Sequence, residues 1–187
     1  MVKIINLNLK ILVYQYHNLL YNLYEFFIDK HSIYYEDDLE DLKNYSLSPE
    51  VISFYKKIHP TDGINLGADV GLCGSYTLKR ENTECAPGAY LIKYGVFTFA
   101  STTGGNAICM DLHIKTNGEP RIIIVDHSVF SNEEIMLLNK DGTVTFEKLS
   151  YAVIYKYTVE ISSTFLDFLD MLKNNKIDNI EQYLRSK

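Results

Sequence analysis

The stretch from Val96 to Phe168 constrains the fold more than the rest of the chain, because it joins alternating strands, glycine turns and a capped helix in one order. In its first part, VFTFAST, successive side chains alternate between the two sides of an extended chain. This alternation predicts a strand over residues 96–101, with Thr98 and Ala100 on the same face as Val96.

A glycine pair and a second strand follow this first strand. Gly104-Gly105 favours a sharp reversal, because glycine adopts positive φ without a clash at Cβ. Residues 106–113 alternate again, so that Cys109 and Asp111 share one face. We therefore predict two antiparallel strands joined by the glycine pair.

A third strand and a long helix complete the pattern. The apolar run that ends at Val125 predicts a strand over 121–126 that is covered on both faces. Several candidate N-cap residues then precede a helix expected over 163–173. Its apolar stripe is expected to pack on the sheet through Phe165, Leu169 and Leu172.

Weaker patterns outline the remaining elements. Asp141-Gly142 predicts a hairpin between residues 134–138 and 143–147, and Pro49 suits the first turn of a helix that Ser48 caps and Pro60 ends. Further strands are expected at 5–13, 89–93 and 154–159, helices at 15–29 and after residue 174, and a loop at 61–72. Together these elements predict an α+β fold: a single domain with a mainly antiparallel central sheet and flanking helices.

Length and charge restrict the function. The chain has 187 residues, 47% of them hydrophobic, and a formal net charge of −6, which suits one globular domain. An acidic domain binds nucleic acid poorly, since phosphate affinity comes from clustered lysine and arginine. The N-terminal apolar stretch is interrupted by charges and lacks a signal-peptide cleavage pattern, so we expect a cytoplasmic protein that does not enter a membrane.

The three cysteines indicate reduced thiols. Cys73, Cys85 and Cys109 are odd in number and none forms a CxxC pair. We expect buried or half-buried free thiols, and we expect neither a metal nor a cofactor.

Two short patterns could carry chemistry but favour a structural role. Asp126-His127 follows a strand, and neighbouring residues on a strand point to opposite faces. At the strand exit the carboxylate could cap the next turn, with partner contact or catalysis as alternatives. Asp111 and His113 share a strand face and could begin a metal site, but an ordinary solvated face is favoured.

Two other features have alternative interpretations. Gly104-Gly105 could bind an anion through backbone N–H groups, although a simple turn is favoured. The densest acidic cluster is either a solvated helix start or a docking patch for a basic protein. Its members are Glu36, Asp37, Asp38, Glu40 and Asp41.

The order of these motifs resembles the SUKH superfamily, also called the SMI1/KNR4 family. LSPEVISFYKKIHP is similar to its first helix, FASTTGGNAICMDL to its strand–GG–strand unit, IIIVDH to its Asp-His strand and SSTFLDFLDML to its closing helix. The resemblance implies a core over 38–173, an N-terminal extension over 1–37 and a helical tail over 174–187. This chain departs from the family pattern in having no tryptophan.

The resemblance also implies a function. Many bacterial members look like immunity proteins that bind a cognate toxin, often a nuclease, and block it without chemistry of their own. The main alternative is a regulatory scaffold that binds another cellular protein, as fungal members are thought to do. A third hypothesis is a small hydrolase that uses His113 or His127. The sequence leaves the oligomeric state open.

Overall fold

The computed structural model describes residues 41–58 and 64–185. The strand predicted at 5–13 and the helix predicted at 15–29 lie outside these residues. Within these described ranges, eight strands form one sheet of six strands and one of two. They are β1 (Ile64–Gly67), β2 (Val70–Leu72), β3 (Val96–Thr102), β4 (Ala107–Thr116), β5 (Glu119–Val125), β6 (Glu134–Leu138), β7 (Val144–Lys148) and β8 (Val159–Ser162).

The helices lie before, between and after the strands. They are α1 (Pro49–Ile58), α2 (Ser75–Thr83), α3 (Gly88–Leu91), α4 (Tyr151–Tyr157), α5 (Phe165–Lys173) and α6 (Gln182–Arg185), with 3₁₀ turns at Asp41–Tyr45 and Ile92–Tyr94. The larger sheet has the order β1-β2-β3-β4-β5-β8, and each pair of adjacent strands in it is antiparallel. The predicted α+β class with a mainly antiparallel central sheet is confirmed.

The apolar run in β5 separates two cores. Ile122 and Ile124 face the core that α1 and α5 cover, whereas Ile123 and Val125 face the core that α4 and the β6–β7 hairpin cover. All four side chains are at most 1% exposed. The predicted burial on both faces is therefore confirmed, and it is the reason why this strand carries no polar alternation.

The face assignment in β3 is wrong from Ala100 onward. Strict alternation predicts Ala100 on the side of Val96, but Ala100 packs in the opposite core. The ladder pairs Thr98 with Cys109 and Ala100 with Ile108, so Phe99 is an extra residue in β3. This bulge reverses the alternation after Thr98.

The helix predicted over 163–173 is confirmed as α5, which begins at Phe165 and ends at Lys173. The Thr164 side chain accepts a hydrogen bond from the Asp167 N–H at 3.0 Å, and buried Glu119 accepts one from the Leu166 N–H at 3.0 Å. Both bonds satisfy N–H groups that the first turn leaves unpaired. Phe165 is fully buried, with its ring 5.1 Å from that of Phe54 and edge-on to it.

Three predictions for the connecting segments are wrong. Residues 61–72, expected to be a loop, contain β1 and β2. Residues 89–93, expected to be a strand, lie in α3 and in the 3₁₀ turn that follows it. Gly88, at the start of α3, has no side chain and so allows close approach to the Glu81 carbonyl. Residues 154–159 lie mostly in α4, which Ser150 caps by accepting a hydrogen bond from the Val153 N–H at 3.3 Å.

Candidate protein-binding surface

One face of the β6–β7 hairpin is anchored in the core. Ile135 is fully buried and Leu137 packs beside it, together with Phe130 and α4. At the base of the hairpin the Leu149 N–H donates to the Glu133 carbonyl at 2.9 Å. These contacts fix the orientation of the hairpin, and they also fix what its opposite face presents to solvent.

The opposite face of the hairpin is apolar and exposed. Met136 lies across the ladder from Phe146, and Leu138 lies across from Val144. Their exposed fractions are 66%, 66%, 76% and 48% in that order. Six large hydrophobic side chains of the described residues are exposed, and these are four of them. We call these four residues the outer face.

Charged groups and a cleft border the outer face. Glu134 and Lys148 form the next cross-strand pair on the same side of the hairpin, toward its base. A cleft of about 850 Å³ runs from Met136 and Phe146 toward Tyr90 on α3. The surface therefore combines apolar anchors with a polar border, the usual arrangement of a protein interface.

Sequence reasoning found this hairpin but missed its surface. The segment EIMLL is apolar at consecutive positions, so both faces of β6 carry apolar side chains: Ile135 and Leu137 on one, Met136 and Leu138 on the other. A two-stranded hairpin can bury only one of its faces against the domain. The uninterrupted apolar run was the available signal.

The acidic cluster lies mostly outside the described residues. Glu36, Asp37, Asp38 and Glu40 precede them, and Asp41 is the first residue of the 3₁₀ turn. The docking-patch interpretation stays a prediction.

The glycine pair forms a turn that contacts the C-terminal tail. Gly105 has φ +86°, as the predicted reversal requires. Gly104 makes room for Glu181, because an added Cβ would lie 2.8 Å from the Glu181 Oε1 atom. Glu181 accepts hydrogen bonds from the Thr102 hydroxyl and, at 2.6 Å, from Asn106 Nδ2. The carboxylate of Glu181, a residue of this same chain, therefore lies beside the glycine turn.

Asp126 and His127 diverge, as expected at the end of a strand. Asp126 Oδ1 accepts hydrogen bonds from the Ser128 N–H at 2.8 Å and from its hydroxyl at 2.7 Å, which confirms the turn-capping interpretation. His127 instead turns toward Asn106, whose Oδ1 accepts from the His127 N–H and from Nδ1, each at 3.1 Å. Through Asn106, His127 is linked to Glu181.

Asp111 is not on a solvated face, which corrects the prediction. It is fully buried, and its Oδ2 accepts hydrogen bonds from Arg121 Nε at 2.9 Å, Arg121 Nη2 at 2.6 Å and the Tyr151 hydroxyl at 2.8 Å. Burial and the neighbouring Asp111 raise the pKa of Tyr151 to about 12, so this hydroxyl remains a donor. His113 Nε2 bonds the Tyr94 carbonyl at 2.9 Å, and only its backbone N–H reaches Asp111.

Asp111 is therefore part of an ion-pair network that joins β4, β5 and α4. In the described residues no three His, Cys, Asp or Glu side chains converge as a metal site would require.

All three cysteines are free, as predicted. Cys73 and Cys109 are buried and Cys85 is partly exposed. Burial raises the pKa of Cys109 to about 12. The pKa of Cys73 is raised further, mainly by burial and to a smaller extent by the negative charge of Glu81.

Comparison of the chain with family models, with curated proteins and with solved structures finds no match. In residues 41–58 and 64–185, every helix is too short or too polar to cross a bilayer.

Proposed function

We propose that this protein is a cytoplasmic immunity protein, which binds a cognate toxin and occludes it without chemistry of its own. The observation that carries the proposal is the outer face: Met136, Leu138, Val144 and Phe146 are exposed together on a hairpin whose other side is buried. Such a surface has the composition of a site that binds another protein.

The size of the outer face supports binding. Four large apolar side chains make a patch on the order of 400 Å², within the range of the largest apolar patches on monomers, which are often functional. Phe146 and Met136 are of residue types that interfaces concentrate at their centres. Because Ile135 anchors the hairpin, little conformational entropy is lost when a partner docks on the other side.

Charge supports a basic partner. The chain carries 24 acidic and 18 basic residues, excluding histidine. A nuclease toxin needs a basic surface to hold phosphates, and an acidic inhibitor would be steered toward that surface. The apolar contacts would then limit dissociation, while charge would set the rate of association.

The order of the elements gives further support. Helix α1, strand β3, the glycine turn, strands β4 and β5 and helix α5 occur in the order in which the sequence resembles the SUKH superfamily. The immunity function implied by that resemblance agrees with an exposed binding face.

Co-expression with a toxin domain encoded beside this protein tests the proposal. We expect the wild-type chain to restore growth, and we expect the double variant Met136→Ser, Phe146→Ser to lose protection. Ile114→Ser is the matched control, because Ile114 is also an exposed apolar side chain but lies in β4. If the wild-type protein neither binds the neighbouring toxin nor protects against it, the regulatory-scaffold alternative replaces the immunity assignment.

A further inference from the structure

We propose that, when the toxin is absent, the outer face pairs with the outer face of a second copy of this chain around a two-fold axis parallel to the strands. The self-pairing rests on the hairpin alone. Its role, which is to cover the binding surface until the toxin displaces the second copy, rests on the proposed function.

The cross-strand register selects this axis. When two identical sheet faces pack together, the two-fold axis lies between them, in the plane of the interface. An axis along the strands places β6 of one copy over β7 of the other. Each side chain then faces the counterpart of its own cross-strand neighbour, so Met136 faces Phe146 of the second copy and Leu138 faces Val144 of the second copy.

Charge is complementary in this arrangement. Glu134 and Lys148 are a cross-strand pair on the same side as the outer face. The axis along the strands therefore places Glu134 over Lys148 of the second copy, and it does so twice. An axis across the strands would instead place Glu134 over Leu138 of the second copy, which would desolvate a carboxylate without a partner.

The available area implies a weak pair. Two outer faces bury on the order of 800 Å² together, which is below the roughly 1,200–2,000 Å² of stable complexes. The pair is therefore reversible and dependent on concentration. A toxin that adds its own charged contacts to the same apolar anchors would displace the second copy.

Charge reversal in separate copies tests the pairing without any toxin. Sedimentation equilibrium of the full chain over a range of concentrations should show a monomer–dimer equilibrium. Glu134→Lys alone and Lys148→Glu alone should each weaken the dimer by about tenfold or more, because like charges then face each other twice. The Phe146→Ser variant should be monomeric, and Ile114→Ser should behave as the wild type.

Mixing the two charge variants is the decisive measurement. The Glu134→Lys copy and the Lys148→Glu copy face each other with opposite charges at both contacts, so the mixture should recover the dimer. Neither copy regains its internal cross-strand pair, so recovery reports a contact between copies. If the wild-type protein is monomeric at every concentration, or if the mixture of the two charge variants stays monomeric, the proposal is wrong.

Adding the purified toxin domain separates this inference from the proposed function. A one-to-one complex is expected to form as the dimer dissociates. If the toxin binds and the dimer persists in the complex, the inference that toxin and second copy share the outer face is wrong, whereas the inference of self-pairing is unaffected. A toxin that does not bind at all overturns the proposed function and leaves the dimer measurement unaffected.

Discussion

Met136 lies directly across the β6–β7 ladder from Phe146, and both side chains are 66% exposed. Cross-strand apolar pairs normally stabilise a sheet by burying each other and packing on a core. Here the core contact is made by Ile135 on the opposite side of the same strand. The Met136–Phe146 pair is thus available to another molecule.

Phe165→Ala tests the packing of α5. The ring is fully buried and lies edge-on to Phe54 and to Phe99 at centroid distances of 5.1 and 5.6 Å. We expect its removal to lower the free energy of unfolding by about 3–5 kcal/mol, because a cavity remains in a close-packed core. Urea unfolding followed by circular dichroism measures this change. A loss below 1 kcal/mol would contradict the packing of α5 on the sheet.

Asp111→Ala tests the buried ion pair. The substitution leaves the Arg121 guanidinium, whose side chain is 9% exposed, without its main partner. We expect a loss of about 3–5 kcal/mol in the free energy of unfolding. Lys93→Ala is the control, since it breaks an exposed pair with Glu133 and should leave the unfolding midpoint nearly unchanged. Equal effects of the two substitutions would contradict the account of this network.

Thiol reactivity tests the burial of the cysteines. The raised pKa values of Cys73 and Cys109 keep both thiols protonated at pH 8, and only the thiolate reacts. We expect one fast-reacting group in the native protein, Cys85, and three in denaturant without a reductant. The Cys85→Ser variant should lose the fast phase. Fast labelling of Cys73 or Cys109 in the native state would contradict the burial of these two thiols.

Reversal of the acidic cluster tests the predicted docking patch. Asp37, Asp38 and Asp41 changed together to Lys should slow association with the toxin, because steering by charge is lost. For the wild type the association rate should fall as salt rises, since screening shortens to about 8 Å near physiological ionic strength. If the triple variant protects cells as well as the wild type, the cluster is a solvated helix start.

Local patterns in the sequence were sufficient to predict the three central strands of the larger sheet and helix α5. Alternation identified β3 and β4, the apolar run identified β5, and Thr164 with its apolar stripe identified α5. Each of these signals acts over a few residues and agrees with the tertiary contacts. The predicted strand over 154–159 was wrong because β-branched residues resemble a strand, while the cap at Ser150 and the burial of Val153 and Ile154 on one side favour a helix.

The environment of Asp111 required information that local patterns lack. The ladder pairs Thr116 with Glu119 and Lys115 with Pro120, and a regular hairpin would continue to Ile124 opposite Asp111. An irregularity between Asp111 and Lys115 instead brings Asp111 opposite Arg121. A bulge of this kind has no signature in a single sequence, so the ion pair became visible only in three dimensions.

The affinity of the purified protein for its toxin domain, measured by titration calorimetry, tests the central claim most directly. The double variant Met136→Ser, Phe146→Ser should bind at least about tenfold more weakly, a loss of about 1.4 kcal/mol or more, while Ile114→Ser binds as the wild type does. Circular dichroism should show both variants folded, since these side chains are exposed. A folded double variant that binds the toxin as tightly as the wild type would contradict the assignment of the outer face as the binding surface.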